Sequence, residues 1–132
     1  MRKSRNSLAV AAVAFVAANL LHTADHIRQG LGGLSPAILV GGSTLTALAI
    51  LVMVMTLRNH PRAPAFAAVV GLSGAVGIAA SHLPPHWSSL SDPYPDLSVD
   101  ALSWAVMLAE IAAALVLAIV AVRELARQPQ HA

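Results

Sequence analysis

The sequence predicts an all-α integral membrane protein: a four-helix bundle with both termini on the cytoplasmic side. Three observations carry that prediction. Of 132 residues, 57% are hydrophobic and only 11% are charged, against roughly 25% charged in an ordinary soluble domain. The mean hydropathy of the chain is +0.70, which leaves too little polar surface to coat a globule of this size. Finally, four apolar stretches approach the roughly 20 residues that a bilayer core requires, and Gly, Pro and Arg separate them.

The spans are expected at about 8–27, 38–57, 64–81 and 99–122, within a single domain over 1–132. The first is preceded by Met1-Arg2-Lys3-Ser4-Arg5, and Val16-Ala17-Ala18 offers a signal-peptide cleavage context. The apolar segment nevertheless continues through Asn19-Leu20-Leu21 past His22, and three more follow, so it reads as a retained first helix. Gly30, Gly32 and Gly33 end it, and Pro36 sits near the opening turn of the second. Arg58-Asn59-His60-Pro61-Arg62 separates the second from the third, which Pro64 opens and Pro84-Pro85 closes. Ser98 is the expected N-cap of the fourth.

Orientation follows from Lys and Arg. Arg2, Lys3 and Arg5 precede the first span, Arg58 and Arg62 lie in the middle loop, and Arg123 and Arg127 follow the last. Four spans place seven of the eight basic residues on one side, with Arg28 alone opposite. That side is read as cytoplasmic, in a plasma membrane of the bacterial type. The outward loops and adjoining helix ends then hold four of six histidines and four of six acids: His22, Asp25, His26, His82, His86, Asp92, Asp96 and Asp100. His60 and His131 fall on the inner side.

Composition also excludes chemistries. The chain has no cysteine, which removes disulfides, thiol redox catalysis, iron–sulfur ligation and Cys-based zinc sites. Although the pI is near 9.9, net charge is only +2 and aromatics are 4%, so no nucleic-acid surface is expected. No Gly-rich phosphate loop or nucleophile elbow is present, nor the full set of histidine boxes expected of membrane desaturases.

The candidate site begins on the first helix. At 100° per residue, Asn19, His22, His26 and Gln29 fall within an arc of about 80°. His22 and His26 are i,i+4 neighbours, the spacing at which two imidazoles on one face grip a single ion. Asp25 lies to the side, as a further ligand or as a group orienting an imidazole through its second nitrogen. The alternative is a pair of interfacial histidines bonded to water. His22-Thr23-Ala24-Asp25-His26 resembles, over five residues, the H-x-x-E-H box of inverzincin metalloproteases, with Asp in place of Glu. The likeness is one of metal-binding geometry.

His82 and His86 reach the same face around Pro84-Pro85, with Trp87 as an interfacial anchor. Gly71, Gly74 and Gly77 form a small-residue face suited to close helix contact, or to a second copy or a membrane partner. The loop Ser88–Asp100, with Asp92-Pro93-Tyr94-Pro95 inside it, favours turns and extended backbone. Asp96 and Asp100 there either solvate the loop and the start of the fourth helix or supply a carboxylate ligand. Glu110 lies about 11 residues into the fourth span, near the midplane, so it must face the bundle interior, be neutral or have a partner. Asn19 is the expected partner. Asp100, Ser103, Met107 and Glu110 share one helical face, a polar line from the outer surface inward that would suit a proton relay or cation path.

Three functions compete. The first is an outward-facing transition-metal site of His22, His26 and His82, completed by Asp25, His86, Asp96 or Asp100. It would hold Zn, Cu, Ni or Fe in a metal-handling protein or small metalloenzyme. The second is a b-type haem electron-transfer module with two axial imidazoles from facing helices. The third is a non-catalytic membrane assembly subunit whose polar residues act as interhelical glue.

Overall fold

A computed structural model describes residues 2–127, with side chains from residue 6 onward; Met1 and His131 lie outside the described residues. Four helices form: α1 (Arg2–Gln29), α2 (Pro36–Leu57), α3 (Ala63–His82) and α4 (Ala101–Arg127). Each is long and apolar enough to cross a membrane, and the described residues include no strand. α1 starts six residues before the expected span, and α4 ends five residues after it. The apolar stretch marks only the hydrocarbon-crossing part of a helix. Arg, Lys, Glu, Leu and Ala are good helix formers, and they carry both helices on into the polar phase.

Local signals set the helix ends. Gly30 takes φ 97° and donates its N–H to the His26 carbonyl at 3.1 Å. That left-handed region suits glycine just past a helix end. Ser35 caps α2 by accepting from the Ile38 amide at 3.2 Å, with Pro36 at the first position. The cap of α4 differs from expectation. The helix begins at Ala101, and Asp100 rather than Ser98 accepts the Ser103 amide, at 3.0 Å.

Helices consecutive in the chain pack on one another and α4 closes the ring against α1; α3–α4 is the most extensive pair and α1–α4 the next. Phe15, Val52, Ala67, Val70, Ala114, Leu117 and Ala121 are buried at the centre. Large apolar side chains such as Val10, Leu21, Val40, Val69 and Val76 are exposed on the outside, which is the surface a lipid bilayer would cover. Gly71 explains how α3 and α4 approach so closely. A Cβ there would lie 2.7 Å from the Ala114 carbonyl oxygen and 2.9 Å from the Ala118 nitrogen. At Gly74 it would meet Phe15 and Leu45, each at 3.2 Å, whereas Gly77 has open space. Two of the three glycines of the small-residue face therefore serve contacts within the chain.

Between α3 and α4 the chain folds back over the end of the bundle. The Asp92 amide donates to the Ser81 carbonyl at 2.9 Å and the Tyr94 amide to the His82 carbonyl at 3.0 Å. Ser91 Oγ accepts from the Trp87 and Ser88 amides, both at 3.0 Å. This stitching places Pro93 and Tyr94 inside the molecule.

Candidate metal centre

His22, His26 and His82 meet at the end of the bundle that 83–100 covers. One potential ligand atom from each lies within 4.8 Å of the others, so the three can hold a metal ion. Their ring centroids are 4.6 Å (His22–His26), 5.0 Å (His22–His82) and 5.4 Å (His26–His82) apart. Helical periodicity supplies the first pair and the end of α3 the third. The sequence suggests a site at the outer surface, but His22 and His82 are buried and His26 is half-buried. The covering segment accounts for the difference.

Acceptors around the cluster fix which nitrogen His22 and His82 present. Glu110 Oε2 lies 2.5 Å from His22 Nδ1, and Glu110 Oε1 accepts from Asn19 Nδ2 at 2.7 Å. Asn19 Oδ1 in turn accepts from Thr46 Oγ1 of α2 at 2.8 Å. The expected Asn19–Glu110 partnership is thus present, and Glu110 also reaches a histidine directly. A carboxylate facing Nδ1 leaves the His22 Nε2 lone pair free for an ion, the carboxylate–histidine–metal arrangement. His82 repeats the pattern with the Asp92 carbonyl oxygen 2.9 Å from Nδ1. For His26, Nδ1 faces the Asp92 carboxylate at 3.8 Å. His22 and His82 thus have Nδ1 engaged and Nε2 available to an ion.

Sequence reasoning did not place Asp92 or Tyr94 in the site. Tyr94 is 1% exposed, and its hydroxyl lies 3.2 Å from His22 Nε2. Its ring packs 4.6 Å from that of His82 and 5.5 Å from that of Trp104, centroid to centroid. Burial pushes the phenol pKa up to about 12, so it holds its proton and donates to His22. Burial likewise raises the Asp92 carboxyl, against the pull of His22. The available signal was Tyr94 itself, the single tyrosine of the chain, set between two prolines in a polar loop.

The other expected ligands go elsewhere. Asp25 is buried and accepts from Arg28 Nε at 2.8 Å and Gln29 Nε2 at 2.6 Å, instead of orienting an imidazole. Arg28, one turn further along α1, is the cation that claims it. Arg28 also donates to Asp100 Oδ1 at 3.0 Å and Ser103 Oγ at 3.1 Å, so Asp100 is committed to this link and to capping α4. Those bonds, the Ser103 amide foremost and Arg28 next, hold the Asp100 carboxyl below its ordinary value. His86 and Asp96 are exposed in the covering segment and do not belong to the cluster. The polar line on α4 is present, with Ser103, Met107 and Glu110 all buried. No protein-family model, curated protein or solved structure matches the chain.

Proposed function

We propose that this protein is a membrane-embedded handler of a divalent transition metal, bound through His22, His26 and His82. The observation that carries the reading is the convergence of three imidazole ligand atoms within 4.8 Å. Ligands on one tetrahedral ion sit about 2.0–2.1 Å from it and therefore about 3.4 Å from one another. Small rotations of the three rings close that gap. Neutral imidazoles suit Zn, Cu, Ni or Fe, and the Glu110 carboxylate behind His22 offsets part of the ion's charge in a low-dielectric interior. The seven basic residues at the other end of the bundle support termini on the cytoplasmic side and a metal end facing outward.

Packing favours an ion over a haem. The three imidazoles and the Tyr94 ring lie on one another with centroids 4.6–6.5 Å apart, too close to admit a macrocycle between His22 and His82. The assembly-subunit reading draws little support from Gly71 and Gly74, which pack inside the chain.

Elemental analysis of the purified full chain, with an absorption spectrum of the same sample, tests the proposal. The expected result is about one equivalent of transition metal per chain without a Soret band, falling to background in His22→Ala and His82→Ala. Colourless, metal-free protein that gains no thermal stability from added Zn, Cu, Ni or Fe would overturn it, as would a Soret band.

A further inference from the structure

We infer that Tyr94 is the fourth ligand of this centre, binding as a phenolate to complete a three-histidine, one-tyrosine set. The inference rests on the three-histidine reading and extends it to a residue outside the histidine cluster.

Geometry carries it. Two ligand atoms on the same tetrahedral ion are about 3.4 Å apart, given bond lengths of about 2.0–2.1 Å. The Tyr94 hydroxyl already stands 3.2 Å from His22 Nε2, the nitrogen that Glu110 leaves free by engaging Nδ1. The hydroxyl needs no large movement to share an ion with that nitrogen. Its position is set from several sides: the backbone bond to the His82 carbonyl, the flanking prolines, and ring packing on His82 and Trp104. The carboxylates that could have served instead are otherwise engaged. Asp25 and Asp100 bind Arg28, and Asp92 faces Nδ1 of both His26 and His82.

The ion takes the place of the phenol proton, which leaves to solvent, as ligand protons do when metals bind. Four protein donors close the coordination shell, the arrangement of sites that hold an ion rather than activate a bound water. The ion class follows from the donors. Three imidazoles rank Cu(II) highest among the divalent ions, and an anionic oxygen adds affinity for such an ion. The tetrahedral spacing suits Zn(II), and Cu(II), which binds imidazole and oxygen donors strongly, serves as the spectroscopic probe of the same donors.

The test uses the full chain in detergent, loaded with one equivalent of Cu(II). Because Tyr94 is the only tyrosine, any phenolate-to-copper charge-transfer band, with phenolate ring modes in its resonance Raman spectrum, must come from it. The expected result is such a band in the native chain. In Tyr94→Phe the band disappears while copper still binds through the histidines, with affinity reduced at least about tenfold. Stoichiometric copper without phenolate modes in the native chain overturns the inference and leaves the three-histidine centre standing. The same holds if the band persists in Tyr94→Phe. A native chain that takes up no copper, zinc, nickel or iron overturns both.

Discussion

His22 on α1 and Glu110 on α4 meet side chain to side chain, with Glu110 Oε2 2.5 Å from His22 Nδ1 and both residues buried. Glu110→Gln tests what this pair does. The amide can still accept from Asn19, but its NH2 group then faces Nδ1 and favours the tautomer that carries its proton on Nε2. The nitrogen offered to the ion is lost while the fold is kept. Metal affinity should fall by about 10–100-fold, measured by competition with a chelator, with helical circular dichroism unchanged. Glu110→Leu goes further and strips partners from two buried groups, at about 1–3 kcal/mol for each orphaned group. An affinity unmoved by Glu110→Gln would show that the carboxylate has no influence on the centre.

Gly71 and Gly77 lie on the same helix but make opposite predictions. Gly71→Ala drives a methyl group into the α4 backbone, where it would sit 2.7 Å from the Ala114 oxygen. Neither helix can give way without separating from the other, so a destabilisation of about 1–3 kcal/mol is expected. Gly77→Ala meets nothing within 4 Å and should be neutral, or stabilising by up to about 1 kcal/mol through lower backbone entropy. Thermal unfolding in detergent separates them. Equal effects would mean that α3 and α4 are not in contact at Gly71.

Asp100 supplies a pH dependence with a defined sign. Its carboxyl is held below the ordinary 3.8 by the Ser103 amide and Arg28. A carboxyl depressed on folding stabilises the folded form above its unfolded value, and that contribution fades as pH falls through the folded value. The start of α4 should therefore hold its protection from hydrogen exchange at neutral pH and lose it only below about pH 3.8. Asp100→Asn should flatten the profile. An NMR midpoint for this carboxyl at or above its ordinary value would contradict the cap.

What the sequence made legible follows from periodicity. Apolar length gave four helices, Gly30 and Pro36 gave the first break, and 100° per residue put His22 and His26 on one face with Asn19. The expense of a carboxylate in hydrocarbon identified Glu110 as needing a partner, and helix geometry made Asn19 a candidate. His82 could be placed at the same depth from topology alone. Tyr94 and Asp92 were not found because they lie on irregular backbone, where no repeat relates sequence position to direction. Their placement depends on two hydrogen bonds back to Ser81 and His82. The bonds of Asp25 to Arg28 and Gln29 are hidden from the sequence for a related reason. Spacing shows which neighbours a side chain can reach but not which of them binds it most strongly, and Arg28 outcompetes an imidazole for a carboxylate.

The chain of bonds from Thr46 to Asn19 to Glu110 to His22 joins α2, α1 and α4, and this has a consequence for assembly. Helices lined by Ala, Val and Leu can slide past one another by a turn, about 5.4 Å, with little change in apolar contact. Such a slip would strand Glu110 among hydrocarbon side chains and carry His22 and His26 out of line with His82. Only one vertical alignment satisfies every member of the chain. The polar thread thus acts as an indexing pin for α1, α2 and α4, and the close seat of Gly71 against Ala114 and Ala118 holds α3 to that register, so that His82 stands level with His22 and His26.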